Sequence, residues 1–245
     1  MKKILFVALI LFFAACSTTT YTNRSQLMLI DEKEEAQLGL QSAKSILKES
    51  KVITNTAQSQ QVKRVGEKIA KVANKPDFQW EFYLIDDEII NAFCLPGGKV
   101  FVYTGLMELV QNDDELAVVI GHEVAHAILR HGAERMSMQS IQGTLGGILG
   151  VVLDIATPSY SQAFQTAYGL GSNVGIMLPY SRSHELEADE VGILLMKEAG
   201  YNPQYALTFW KKMAEKSQGG NLDFLSTHPN DKERIQKIQA ILNKG

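Results

Sequence analysis

The sequence has little cysteine and almost no charge imbalance, and it has no long apolar run. Two cysteines in 245 residues exclude a domain held together by several disulfide bonds. A net charge of −3, with no long block of one sign, gives no basis for binding nucleic acid. No uncharged apolar stretch approaches the roughly 18 residues that a membrane-spanning helix needs. What is left is an ordinary globular composition, 45% hydrophobic, enough for one sizeable domain or two small ones.

The N-terminus has the pattern of an export signal. A positive start, Met1 to Lys3, precedes an apolar run of twelve residues, Ile4 to Ala15. That length suits the core of a signal peptide and is too short to span a bilayer. The run ends Phe-Ala-Ala-Cys at residues 13–16, which resembles a bacterial lipoprotein processing site with Cys16 as the lipidated first residue. The alternative is an ordinary secretory peptide that is cleaved nearby.

These features predict a signal peptide over residues 1–15, a lipidated tether over residues 16–30 and a single domain over residues 31–245. Several acyl chains on Cys16 would give stable membrane anchoring. Ser17 follows the cysteine, which resembles sorting to the outer membrane. The expected location is therefore the bacterial cell envelope, facing the periplasm. Cys94 would then lack a disulfide partner and is expected to be a small core residue.

Hydrophobic periodicity predicts an α+β fold that is mainly helical, with a small β-sheet ahead of one long buried helix. Thr104 is expected to cap a short helix, and Asn112 to cap the long one. Gly132 fits the left-handed position beyond the end of that long helix. The predicted elements, in order, are helices over 31–48 and 56–72, strands over 78–84, 89–95 and 99–103, a short helix from 104 and the long helix from about 113 to 130.

The long helix carries a His-Glu-x-x-His motif made of His122, Glu123 and His126. Residues 116–120 are apolar without a break, so every side of the helix is apolar and the helix should be buried. Buried polar side chains need partners, because an unpaired one costs roughly 2–7 kcal/mol. Positions i and i+4 share a face, so the two histidines can hold one metal ion while the glutamate reaches a water. The motif predicts zinc-assisted peptide hydrolysis; the alternative is a solvated surface motif.

Zinc needs at least one more protein ligand, and the best candidate lies downstream. Glu185 and Asp189 are four residues apart and share a helix face. Small side chains on that stripe, Ala188 and Gly192, would let this helix approach the motif helix closely. Glu185 could then bind the ion while Asp189 accepts the outer N–H of a ligating histidine. His131 is a poorer candidate for the third ligand, because it lies off the face of the motif histidines. The alternative for Glu185 and Asp189 is a solvated helix face.

Residues 140–178 contain seven glycines. One interpretation is a re-entrant or spanning membrane segment built on small-residue helix packing. The other, which the absence of a long apolar run favours, is a glycine-rich helical pair lying over the active site as a movable lid.

Taken together, these motifs resemble a known family. The sequence His-Glu-Val-Ala-His at 122–126, followed by Ser-Arg-Ser-His-Glu-Leu-Glu-Ala-Asp at 181–189, is similar to the gluzincin metallopeptidases of the HtpX, Ste-type CAAX-protease, Oma and BepA/LoiP group. Nearly the whole mature chain takes part in the likeness. Further matching segments are Asn91, Ala92 and Phe93; Pro96 to Gly98; Val102 to Gly105; and Leu225 to Pro229 with Arg234 beyond.

The resemblance implies a zincin-like fold with one zinc ion per chain. It implies that His122, His126 and Glu185 bind the zinc and that Glu123 is the general base. It places His228 near the ion, where it would regulate the zinc or stabilise the oxyanion. In the mechanism that we expect, zinc stabilises the tetrahedral oxyanion together with His228 or Arg234. The alternative for His228 is a turn residue that caps the last helix.

An extended polypeptide substrate is expected to pair with an edge strand near Asn91, Ala92 and Phe93. The chain has neither the four membrane helices of HtpX nor a tetratricopeptide array, so the expected match is the short periplasmic lipoprotein (LoiP-like) type.

The predicted function is a zinc-dependent endopeptidase of the bacterial cell envelope that cleaves misfolded or unassembled envelope proteins. Its predicted partners are polypeptide substrates and, through lipid at Cys16, the membrane. The alternatives are a zinc-binding chaperone or outer-membrane assembly factor whose protease is largely latent, and a structural lipoprotein with a vestigial metal site.

Overall fold

Helices form most of the chain that the computed structural model describes, namely residues 16–146, 164, 181–217, 223–228 and 232–244. This confirms the predicted α+β, mainly helical fold with a small sheet ahead of the motif helix. The elements, in chain order, are β1 (Cys16–Thr18), β2 (Ser25–Leu27), α1 (Glu32–Glu49), β3 (Val52–Ile53), α2 (Ala57–Val72), β4 (Glu81–Ile85), β5 (Ala92–Leu95), β6 (Lys99–Tyr103), α3 (Thr104–Met107), α4 (Asp113–Ile128), α5 (His131–Gly146), α6 (Arg182–Glu198), α7 (Tyr205–Ser217), α8 (Asp223–Thr227) and α9 (Lys232–Lys244).

The main sheet has four strands in the order β3-β4-β6-β5, so β5 lies at one edge. β4 and β6 run parallel, while β3 and β5 pair antiparallel to their neighbours. β5 and β6 are joined by a tight turn, in which Gly97 and Gly98 have φ of 83° and 92°. Positive φ at two successive positions suits glycine, because a side chain would be strained there.

The sheet is covered on both faces, which explains why its strands are almost wholly apolar. On β6, Val100 and Val102 belong to the core that includes α2 and α4. The intervening Phe101 points to the opposite face and belongs to the core beneath α1. Alternation along a strand sends neighbouring side chains to opposite faces, so both faces bury apolar groups here. The sheet is thereby held as a rigid support beside the motif helix.

The motif helix α4 is buried along nearly its whole length, as the unbroken apolar run predicted. Its N-cap is Asn112, whose side chain accepts a hydrogen bond from Glu115 N. The Glu115 carboxylate accepts from Gln111 N rather than from the N–H of the cap, so the capping box is incomplete. The predicted cap at Thr104 is wrong: Tyr103 is the N-cap of α3, and Thr104 instead bonds to the backbone of Asp87.

The end of α4 also differs from the prediction. The left-handed residue is Arg130, with φ of 58°, and not Gly132, which lies inside α5. An arginine rarely takes this conformation. Here its side chain is held by the Glu35 carboxylate at 2.6 Å and by the Ile30 carbonyl at 2.8 Å. These two contacts, one from α1 and one from the chain just before it, offset the backbone strain.

Helices α4 and α6 cross with their backbones almost in contact. A Cβ atom built on Gly121 would lie 3.0 Å from the Gly192 carbonyl oxygen, and one on Gly192 would lie 3.0 Å from His122 N. Both neighbours are backbone atoms, which cannot rotate away. Two glycines at this crossing therefore set how close the acidic face of α6 comes to the motif histidines.

We expect the Gly192→Ala variant to lose about 1–3 kcal/mol of the free energy of unfolding, although alanine is the better helix former. The added methyl group would press on the backbone at His122 and push the two helices apart. Urea unfolding followed by circular dichroism measures the change, with the exposed Glu190→Ala on the same helix as control. A Gly192→Ala variant as stable as the wild type would contradict the close packing.

Part of the predicted tether is folded onto the domain. β1 and β2 form an antiparallel hairpin with Cys16 opposite Leu27. The Gln26 amide donates to the Leu129 carbonyl at 2.9 Å, and Leu29 N donates to Ser137 Oγ at 3.0 Å. The sequence predicted a tether from the lipid, but these polar groups have buried partners at the end of α4 and on α5. The part of this segment from Tyr21 to Leu29 therefore packs against the domain.

Two predictions concern residues outside those described: the signal peptide over 1–15 and the glycine-rich segment beyond Gly146. Within the described ranges, no helix is both long and apolar enough to cross a bilayer.

Candidate metal centre

Three side chains from two helices direct donor atoms at one buried point. Nε2 of His122 and Nε2 of His126, one turn apart on α4, are 3.0 Å from each other. Glu185, in the first turn of α6, places Oε1 at 3.2 Å from His126 Nε2 and Oε2 at 3.5 Å from His122 Nε2. All three residues are at most 3% exposed. The structure thus brings together the residues that the sequence paired across more than fifty positions.

The donor set and its spacing fit a zinc ion. Four ligands held tetrahedrally at about 2.0–2.2 Å from zinc lie roughly 3.3–3.6 Å apart, close to the three separations found here. Two imidazoles and a carboxylate are also a set that zinc accepts. Among the described residues, none donates a hydrogen bond to the buried Oε1 atoms of Glu123 and Glu185. Buried carboxylate oxygens without donors are costly unless a cation is bound nearby.

Asp189 fixes the ring of His122. Its Oδ1 lies 3.0 Å from His122 Nδ1 and accepts a hydrogen bond from Arg234 Nη2 at 2.8 Å. Its Oδ2 accepts a hydrogen bond from Arg234 Nε at 2.6 Å. A carboxylate held by two arginine N–H groups can only accept, so His122 Nδ1 carries the proton. The lone pair of Nε2 is then directed at the metal position, as a ligating histidine requires.

Arg234 is buried and holds both acidic side chains of α6. Besides its contacts to Asp189, its Nη1 lies 2.7 Å from Glu185 Oε2, and its guanidinium stacks 4.0 Å above the Trp210 ring. Burial raises the pKa of Glu185, but Arg234 and the neighbouring histidines outweigh burial and lower that pKa to about 2. The candidate ligand therefore stays an anion. These contacts place Arg234 behind the candidate ligands, where it can position them; the oxyanion contact expected for Arg234 stays a prediction.

Glu123 lies beside the donor atoms and is 3% exposed. Burial raises its pKa to about 8, with His122 and Arg234 opposing the rise. A carboxylate whose proton affinity is raised by burial suits proton transfer near neutral pH. Its Oε1 atom is 3.5 Å from His228 Nε2.

His228 reaches the site from the end of α8. Its Nδ1 contacts Thr227 Oγ1 at 2.8 Å, and its ring stacks on Phe224 with centroids 4.4 Å apart. One nitrogen of its ring lies within 4.8 Å of donor atoms of His122, His126 and Glu185. Burial lowers the pKa of His228 well below its usual value, which keeps the ring neutral. The structure therefore places His228 as a fourth potential ligand; the start of its following turn, 229–231, is outside the described residues.

The three residues predicted to bind substrate lie where β5 begins. Ala92 and Phe93 are in the edge strand, and Asn91 accepts a hydrogen bond from Tyr103 N at 3.1 Å. The carbonyl of the preceding Ile90 accepts from Phe224 N at 3.1 Å, which ties this strand to the short helix that leads to His228. The edge strand and the donor cluster are thus joined through α8.

The sequence did not predict the surroundings of His126, the second histidine of the motif. His126 Nδ1 meets His131 Nδ1 at 2.8 Å, and His131 Nε2 meets Glu187 Oε2 at 3.0 Å. His131 is off the metal-binding face, as predicted, but it lies directly behind His126. The left-handed Arg130 turns the chain back between the two helices and produces this contact. That turn had no signal in the sequence.

The chain matches the family model "Peptidase family M48" over residues 56–242. It is 39% identical over 183 residues to the "Mitochondrial metalloendopeptidase OMA1" of Schizosaccharomyces pombe, covering 74% of this chain and 52% of that protein. It is 31% identical over 265 residues to the protein of the same name from Saccharomyces cerevisiae, covering 97% and 74%.

A bacterial relative is the "Beta-barrel assembly-enhancing protease" of Escherichia coli, 28% identical over 216 residues, covering 86% of this chain and 44% of that protein. The chain spans about half the length of most of these curated relatives. The Oma and BepA likeness predicted from the motifs is confirmed, and so is the enzyme class, a metallopeptidase, at the level of the family. By the extent of the family match, the chain belongs to peptidase family M48.

Proposed function

We propose that this protein is a zinc metalloendopeptidase with one zinc ion per chain. The observation that carries the proposal is the convergence of His122, His126 and Glu185 at one buried point, with the Glu123 carboxylate beside them. Among the described residues, none donates a hydrogen bond to Oε1 of Glu123 or to Oε1 of Glu185, which supports a bound cation at this point.

In the proposed mechanism, His122, His126 and Glu185 would hold a zinc ion, which would supply Lewis-acid activation of a water and of the scissile carbonyl. Glu123 takes a proton from the attacking water and delivers it to the nitrogen of the leaving amine. His228 would donate a hydrogen bond from Nε2 towards the developing oxyanion when its Nδ1 accepts from the Thr227 hydroxyl, with the ring held by stacking on Phe224.

The substrate is a polypeptide bound in an extended conformation. Strand β5 is at the edge of the sheet and is joined by α8 to the segment that carries His228. A peptide that adds to this edge near Asn91, Ala92 and Phe93 would gain backbone hydrogen bonds and run towards the metal. Such binding depends on main-chain groups, so it favours unfolded chains over folded ones.

The proposed setting is the bacterial cell envelope, where misfolded or unassembled envelope proteins would be the substrates. Support comes from the positive start, the apolar run to Ala15 and the Cys16 that follows it. The name of the Escherichia coli relative, which refers to β-barrel assembly, is consistent with this setting. We propose cleavage after residue 15, lipid on Cys16 and attachment at the outer membrane, with residues 31–245 as the peptidase domain.

The experiment uses the purified mature chain and unfolded casein. We expect about one zinc ion per chain, cleavage of casein, loss of cleavage after dialysis against a chelator, and its return when zinc is added back. Zinc content is measured by metal analysis and cleavage by gel electrophoresis. A folded protein without zinc, or one whose cleavage survives complete chelation, would contradict the proposal.

A second candidate function is favoured by one observation, the place of His228 beside the ligand atoms. A histidine there can occupy the coordination position that water needs, which would leave a zinc-binding chaperone or assembly factor with a latent protease. His228→Ala separates the two functions. Casein cleavage that appears only in this variant indicates latency, whereas cleavage by the wild type that falls in the variant supports the oxyanion role.

A further inference from the structure

The two ligating histidines are held by different means. His122 has a carboxylate on its outer nitrogen, the usual arrangement for a zinc ligand. His126 has a second imidazole there, because its Nδ1 lies 2.8 Å from Nδ1 of His131. The other nitrogen of His131 lies 3.0 Å from Glu187 Oε2.

The proton positions along this chain of contacts follow from Glu187. A carboxylate accepts only, so His131 Nε2 carries a proton and donates it to Glu187. In the neutral ring of His131, Nδ1 then has a lone pair, and His126 Nδ1 is the donor to it. This leaves the Nε2 lone pair of His126 directed at the metal position. The state of the ligand is thus set two residues away.

Glu187 is in turn fixed by the N-terminal hairpin. Arg24 Nε donates to Glu187 Oε2 at 2.6 Å, and the hydroxyl of Thr22 donates to Oε1. The two Nη atoms of Arg24 lie 2.8 and 2.6 Å from the two oxygens of Glu134. Glu134 Oε2 lies 3.1 Å from Nε2 of His184.

His184 closes the network by stacking on His131. Their ring centroids are 4.4 Å apart with an interplanar angle of 17°, and both residues are buried. Arg24 therefore acts on His131 twice: it holds Glu187 at the edge of the ring, and it holds His184 through Glu134 against the face. No other described side chain from the hairpin reaches both carboxylates.

We propose that Arg24 is a positioning residue of the metal centre, which fixes the His126 ligand through Glu187 and His131. The arrangement mirrors the other ligand, since Arg234 fixes His122 through Asp189. One arginine comes from the last helix and the other from the segment next to Cys16, before the start of the family match at residue 56. The hairpin thus helps to position a ligand of the metal centre. This inference rests on the proposed zinc site.

The test measures zinc affinity, by competition with a fluorescent chelator, for Arg24→Met and for the hairpin control Thr20→Ala, whose side chain is exposed. Loss of an outer partner of a zinc-bound histidine typically costs about 10–100-fold in metal affinity. We expect that loss in Arg24→Met and affinity within about twofold of the wild type in Thr20→Ala. Circular dichroism confirms that both variants are folded. Wild-type affinity in a folded Arg24→Met variant would overturn the proposal.

A second pair of variants decides the matter should Arg24→Met fail to fold. Asparagine can place an acceptor oxygen near the former Nδ1 of His131, whereas leucine cannot. His131→Asn should therefore bind zinc at least several-fold more tightly than His131→Leu, and the absorption bands of the cobalt-substituted protein should stay closer to the wild type. Equal affinities in the two variants would overturn the relay. Both readouts are independent of proteolysis, so zinc-dependent results can stand even if casein is not cleaved.

Discussion

Glu185→Gln is expected to weaken zinc binding by more than about 100-fold, beyond the usual cost of losing an outer partner. The carboxylate lies 3.2 and 3.5 Å from the ring nitrogens of His126 and His122, so it is the group that completes the donor set across two helices. A neutral amide is a poorer zinc ligand than a carboxylate. It would also leave the nearby Arg234 guanidinium with less negative charge to balance it, and that positive charge opposes a bound cation.

Zinc content after dialysis and affinity by chelator competition measure this effect. The matched control is Glu190→Gln, an exposed glutamate on the same helix, which should keep the wild-type affinity. Asp189 remains in the variant to hold Arg234, so the fold should survive, and circular dichroism checks it. If folded Glu185→Gln keeps one tightly bound zinc, a different residue supplies the third ligand and the site must be reassigned.

The candidate metal site could be predicted from the sequence because the residues that indicate it lie close together along each helix. The apolar run at 116–120 predicts a helix buried on every side, and the polar residues that follow on a buried helix need partners. Glu185 was predicted from its four-residue spacing to Asp189, from small residues nearby and from the family resemblance, and Gly192 does let the two helices touch. In each case the informative residues lie within about two helical turns of one another.

What the sequence did not predict depends on partners that are far apart in the chain. Arg130 takes a left-handed conformation because Glu35, 95 residues earlier, binds its side chain. The contacts of the segment before α1 were not predicted, because its polar composition does not show that Arg24 binds Glu134 and Glu187. Strand β3 has two residues, too short for any alternation to appear. Periodicity describes faces of elements, and it cannot identify which distant groups will satisfy a polar side chain.

The contact between His131 and His126 also depends on a distant feature of the fold. Helix geometry correctly places it off the face of His122 and His126, because it lies five residues beyond the second histidine. Its role depends on the chain reversing at Arg130, which brings its ring behind His126 at 2.8 Å. Only the folded structure shows that a residue excluded as a ligand can still orient one.

For Glu123→Gln we expect zinc binding to persist while the rate of peptide cleavage falls by about 10²–10⁴, the usual worth of a positioned proton-transfer group. The substitution keeps the shape of the side chain but removes its ability to accept a proton. Glu123 is not one of the four residues that could bind the metal. Its substitution therefore leaves the donor atoms of His122, His126 and Glu185 in place. The burial that raises the pKa of Glu123 also means that a neutral amide is accommodated without a new desolvation cost.

Steady-state kinetics on an unfolded polypeptide substrate, at full zinc occupancy, measure the rate. The control is Glu108→Gln, an exposed glutamate just before the motif helix, which should leave both zinc content and kcat unchanged. A fall in kcat with little change in KM assigns Glu123 to the transition state, because an interaction made only there does not alter substrate binding. A zinc-loaded Glu123→Gln variant with undiminished kcat would eliminate Glu123 as the general base, since no amide can take the proton from the attacking water.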